Sequence, residues 1–115
     1  MLKTDITTLP NKIFNAKVLI NKEVAVGVRK ITFQLDEPLL FQAWQYIWVE
    51  IPELKFADKK GSRRAFSILN TLNDKNTVEI VARLSDSGYK KSLFALVVGD
   101  AVIIIGKNVT CIEDW

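Results

Sequence analysis

The sequence predicts an all-β fold: a six-stranded antiparallel Greek-key barrel with one short helix before the last strand. Three observations carry this. Apolar and β-branched residues alternate with polar ones in short runs along most of the chain. Turn-forming residues separate the runs, as at Asp36-Glu37-Pro38, Pro52 and Asn73-Asp74. Only one segment, just before the last run, switches to helical spacing.

The first strand starts at Lys12, where Phe14, Ala16, Val18 and Ile20 alternate with Asn15, Lys17 and Leu19. The second is Val28 to Leu35, with Ile31, Phe33 and Leu35 on one face. The third runs from Tyr46 to Ile51 and stops at Pro52. A charged loop, 53–63, leads into a fourth strand from Ala65 to Leu69. Asn70 to Asn76 reads as a turn, and Thr77 to Leu84 as the fifth strand. Asp86 or Ser87 can cap the helix, Leu93, Leu96 and Val97 share one helical face, and Gly99 stands at its stop. Val102 to Ile105 is the sixth strand. The division is a leader over 1–11, a barrel over 12–106 and a tail over 107–115. A closed barrel also removes the strand edges that such apolar runs would expose.

A chain of 115 residues suffices for one domain with a real core. It has no histidine and a single cysteine, Cys111. This excludes His-based triads, the usual structural zinc sites and an internal disulfide, and no metal site is expected. Cys111 has no basic or metal-like setting and is given no role. The net charge of +3 suits an anionic ligand or acidic partner without pointing to nucleic acid. Leu93 to Val98 and Ala101 to Ile105 are the longest apolar runs, far short of the roughly 20 residues of a membrane helix. With no signal-type N-terminus, a cytoplasmic protein is expected, with no membrane partner.

Two stretches carry chemistry. Arg64, Ala65, Phe66 and Ser67 put a planar cation, an aromatic face and a hydroxyl within four positions. On an extended strand Arg64 and Phe66 point one way and Ser67 the other. An arginine can grip a phosphate with paired bonds, and the aromatic can pack on a flat ring. The bland reading is a strand after a basic loop, with Phe66 as core. The second stretch, Gly88, Tyr89, Lys90, Lys91 and Ser92, opens the helix. Lysines there oppose the helix dipole unless an anion lies near, although solvent-facing lysines pay little for it.

Together these stretches resemble the flavin-binding domain of ferredoxin-reductase-type oxidoreductases. Phe41 to Val49 resembles the family's F-x-A/P-G-Q-Y strand, and Arg64 to Ser67 its R-x-Y/F-S/T motif. Arg83, Gly88-Tyr89-Lys90, Leu93, Leu96, Gly99-Asp100 and Gly106 resemble its closing run. The match in order and spacing covers residues 12–106. The resemblance implies a flavoprotein that passes electrons, with FAD as cofactor and FMN as the lesser alternative. It implies that Arg64 holds a flavin phosphate and Phe66 packs on the isoalloxazine or ribityl chain. Ser67 would lie near N5, the catalytic position. Arg83 and the stretch from Gly88 through Lys91 and Ser92 would bind the pyrophosphate.

The sequence departs from the family pattern in three places. Trp44 stands where the family has glycine, Phe66 where it often has tyrosine, and Gly106-Lys107-Asn108-Val109 where it has G-P-x-G. No G-x-G-x-x-G is present. A nicotinamide-binding domain is therefore expected from a partner chain or a further C-terminal half, with dimerisation through the uncovered barrel face as an option. Asp58, Asp74 and Asp100 read as turn residues, and the 55–64 loop as solvated or as a dock for an acidic partner. A second reading is a non-redox barrel that holds flavin structurally, or uses Trp44, Trp48 and the basic loop on single-stranded nucleic acid. A third is a truncated, inactive product.

Overall fold

The computed structural model describes residues 11–39, 45–69 and 76–107. Within them lie six strands: β1 (Asn11–Ala25), β2 (Val28–Leu35), β3 (Tyr46–Glu50), β4 (Arg63–Ser67), β5 (Thr77–Arg83) and β6 (Ala101–Lys107). One helix, α1 (Gly88–Phe94), sits between β5 and β6. Every strand pair is antiparallel. The strand order is β4-β3-β6-β1-β2-β5, so β6 inserts between two hairpins in Greek-key fashion. The expected fold class is the one observed.

The core follows from the alternation. Phe14, Ala16 and Val18 of β1, Ile31, Phe33 and Leu35 of β2, and Ile47 and Val49 of β3 all face inward. Val78, Ile80 and Ala82 of β5 and Val102 and Ile104 of β6 complete the lining. Each fully buried large side chain contributes about 1.5–3 kcal/mol of hydrophobic stabilisation. Tyr89 and Leu93, four apart on α1, are buried in the same core.

Several expectations need correction. Ile20 is exposed, because a bulge between Val18 and Ile20 breaks the two-residue period that buries its predecessors. Beyond it β1 runs on to Ala25 and turns at Gly27, whose φ of 70° is open to glycine at little cost. Strand β4 covers Arg63–Ser67, two residues earlier than Ala65 to Leu69. Ile68 and Leu69 leave the ladder, but their amides still bond to Gln45 O and Glu79 O. Ile51 falls just outside β3, while β6 extends past Val102–Ile105 at both ends.

The helix stops at Phe94, so Val97 lies outside it and is exposed. Ala95 closes the helix with amide bonds back into it, and Gly99 turns the chain with φ 94° before β6. Of the two candidate caps, Ser87 is used: its side chain accepts from Lys90 N. The leader before Asn11, Trp44, most of the 70–76 turn, and the tail from 108 with Cys111 lie outside the described residues.

Candidate functional site

The sheet is not hydrogen-bonded all round. Strands β4 and β5 stand at its two ends, and Leu69 N to Glu79 O, at 2.9 Å, ties them where β4 runs out. Elsewhere the seam between them opens into a groove of about 440 Å³. It is lined by Arg64, Ala65 and Phe66 from β4, by Arg83 and its neighbours from β5, and by Ser85, Ser87 and Lys90 from the turn and helix start. That volume lies in the usual range of ligand sites, about 300–1,000 Å³.

Register explains who faces the groove. Arg64 pairs with Val49 and Phe66 with Ile47, so both share the inward face of β3. At the edge of the sheet that face meets α1 instead of another strand. Phe66 stacks on Tyr89 with ring centroids 6.2 Å apart and planes 25° apart. The Arg64 guanidinium lies 4.9 Å from the Tyr89 ring centroid, a cation–π contact. Tyr89 is itself fully buried, and its hydroxyl donates to Val49 O at 2.7 Å. Burial, the dominant influence, pushes the Tyr89 phenol well above its ordinary range, against the opposing pull of Arg64. Tyr89 is a wall behind the groove.

The groove is cationic. Lys90 Nζ donates to Arg83 O at 2.9 Å and lies over the Phe66 ring, 5.9 Å from its centroid. Partial burial, then the charge of Arg64, pull the Lys90 pKa below its ordinary value. Arg83 lines the same groove, and among the described residues no acidic side chain does. This donor set suits a phosphate-bearing, partly aromatic ligand, and a flavin nucleotide fits that description.

Asp58, in the loop before β4, lies beside this cluster. Its Oδ2 accepts from Arg64 Nη2 at 3.0 Å and from Tyr89 N at 2.9 Å, and its Oδ1 accepts from Lys60 N at 2.8 Å. Those amide bonds, from Tyr89 and then Lys60, hold its carboxyl below the ordinary carboxylate range, with Arg64 adding to them. The turn reading of Asp58 is therefore right but incomplete: the same carboxylate reaches across to the helix.

The remaining site expectations fall as follows. Arg64, Ala65, Phe66, Arg83 and Lys90 come together on one groove. Ser67 is exposed at the end of β4 on the face of Ala65, one position beyond the lining. Gly88 packs so tightly on the 56–57 backbone that a Cβ would sit 2.0 Å from Ala57 O. Ser92 is buried and turned to the same segment, accepting from Phe56 N at 3.0 Å. Lys91 is exposed and does not line the groove. At the helix start, Tyr89 N is bonded to Asp58 and Lys90 N to Ser87, rather than left open. Trp48 lies against Tyr46, with ring centroids 6.2 Å apart, and does not line the groove. Sequence reasoning missed Ser85, and it gave Ser87 only a capping role. Their hydroxyls lie 3.1 Å apart on the rim.

A Greek-key barrel, open at one seam where a basic groove meets a short helix, defines a small barrel domain with a groove suited to an anionic ligand. The chain is 35% identical over 75 residues to the phenol hydroxylase P5 protein of Acinetobacter pittii, covering 65% of this chain and 20% of that one. It is 31% identical over 81 residues to the aromatic O-demethylase reductase subunit of an Amycolatopsis species, covering 70% and 22%. The Amycolatopsis cytochrome P450 reductase GcoB superposes with a TM-score of 0.70 at 28% identity, over 87% of this chain and 29% of that one. The ferredoxin reductase of carbazole 1,9a-dioxygenase superposes with a TM-score of 0.74 over 93% and 32%, and at 20% identity shows the fold alone. No protein-family profile matches. In fold and in sequence the chain is thus similar to the flavin-binding domains of ferredoxin-reductase-type electron-transfer reductases. It spans only about a fifth of the length of these two curated relatives. Among the described residues no helix is long and apolar enough to cross a membrane.

Proposed function

We propose that this chain binds FAD along the β4–β5 seam and serves as the flavin domain of an electron-transfer oxidoreductase. One observation carries the reading: Arg64, Phe66, Arg83 and Lys90 converge on a groove with no acidic lining among the described residues, in a barrel similar to those of reductases. Arg64, Arg83 and Lys90 supply positive charge for the phosphates, and Phe66, backed by Tyr89, supplies an apolar face for the ring. Ser67, at the end of β4, is the residue for the ring edge near N5. Bound flavin would supply the electron-carrying chemistry, while the chain orients it and shields one face. The flavin-bearing unit is residues 12–106, working in the cytoplasm with a nicotinamide-binding domain, a redox partner protein or a second copy of itself.

The test is the absorbance of the purified protein between about 350 and 500 nm, before and after incubation with excess FAD and gel filtration; a flavin carries its own chromophore. Retained flavin absorbance at near one equivalent is expected. A colourless protein after incubation with both FAD and FMN would refute the proposal.

A further inference from the structure

We propose that Asp58 is a positioning residue for Arg64, and that through it the groove discriminates phosphorylated flavins from riboflavin. This rests on the flavin reading above. Arg64 carries five N–H donors. Its Nη1 donates to Arg63 O at 2.8 Å and Gly61 O at 3.2 Å, and its Nη2 to Asp58 at 3.0 Å. Only the Nε–H and one Nη2 hydrogen then lack a partner among the described residues. The guanidinium is also laid against the Tyr89 ring. Such a cation has one free region, fixed in direction before any ligand arrives, and preorganised donors bind an anion better than mobile ones.

The alternative is that Asp58 competes with the phosphate as a built-in anion. The geometry opposes this. The Asp58 side chain is only 7% exposed, and three separate donors hold it. Two of these are backbone amides that give it a fixed place whatever Arg64 does. It also ties the 58–61 turn to the helix start, because Gly61 N bonds to its carbonyl at 3.0 Å. Asp58 offsets part of the Arg64 charge, but Arg83 and Lys90 keep the groove basic. Removing the carboxylate would add net charge that salt screens, and would leave Arg64 Nη2 without its anchor, so that only the Nη1 carbonyl bonds and the Tyr89 ring orient the guanidinium.

The experiment compares FAD and riboflavin binding to the full chain and to Asp58→Asn and Asp58→Ala by equilibrium dialysis. The expected result is a tenfold or greater loss of FAD affinity in Asp58→Ala and a smaller loss in Asp58→Asn. Riboflavin affinity should stay within twofold in both. If Asp58→Ala does not fold, Asp58→Asn alone decides. Tighter FAD binding in either variant would make Asp58 a competitor, and unchanged FAD binding would give it no role. Equal losses for FAD and riboflavin would make its role merely structural. Each of these overturns the inference and leaves the flavin reading standing. Wild-type protein that binds neither ligand overturns both.

Discussion

Phe66 on β4 stacks against Tyr89 on α1, with ring centroids 6.2 Å apart and an interplanar angle of 25°. This contact joins β4 to the helix that flanks the seam. A strand edge and a helix start that are 23 residues apart in sequence thereby form a single wall. Arg64 extends the same wall by lying over the Tyr89 ring. The groove's aromatic and cationic faces thus share one buried support.

Arg64→Ala removes both the cation and its fixed geometry. FAD binding should weaken by about 1.5–3 kcal/mol, the range for a charge-assisted pair with phosphate. Titration of wild type and variant with FAD checks this. Unchanged affinity would take Arg64 out of the site.

Tyr89→Phe keeps the stacking surface and loses the buried hydroxyl bond to Val49 O. Stability should fall by about 1 kcal/mol, measured by urea unfolding. Flavin affinity should change little, because the hydroxyl points into the barrel.

Gly88→Ala places a methyl 2.0 Å from Ala57 O and 2.6 Å from Phe56 O, both backbone atoms. The 53–62 loop must shift, at a cost of about 1–3 kcal/mol. The melting temperature should drop, and with the loop Asp58 should lose its grip on Tyr89 N. An unchanged melting temperature would show that the loop yields freely.

The depressed Asp58 pKa makes part of the stability depend on pH. A carboxylate with a folded-state pKa below its ordinary value of 3.8 stabilises the fold above that value. That contribution is lost as pH falls through the folded-state pKa. The difference in melting temperature between wild type and Asp58→Asn should therefore be present at neutral pH and shrink on acidification below about pH 4. Lys90 behaves in the opposite sense. Its lowered pKa reflects a charged form penalised by burial and by Arg64. A bound phosphate would relieve that penalty, so FAD binding at alkaline pH should take up protons. Calorimetry in two buffers of different ionisation enthalpy reads this directly.

Much of the barrel was legible because its signals are local. Alternation in Val28 to Leu35 and Thr77 to Leu84 marks an inward face; β2 lies where that pattern puts it, and β5 stops one residue earlier, at Arg83. Ile20 and Val97 depart from the sequence pattern because a bulge and an early helix stop are set by neighbouring strands and loops. In the site, Arg64 and Phe66 were readable from their two-residue spacing. Asp58 was readable only as a turn former, because its reach to Tyr89, 31 residues on, is a product of tertiary folding. Ser92 followed a motif, but its hydroxyl is committed to the Phe56 backbone.

The most direct test of the account is amide chemical-shift mapping of the ¹⁵N-labelled chain as FAD is added. The largest shifts should fall on Arg64 to Ser67, Arg83 and Ser85 to Lys90, and remain small on the outer face at Tyr46 and Trp48. Shifts centred on that outer face, or none at saturating FAD, would contradict it.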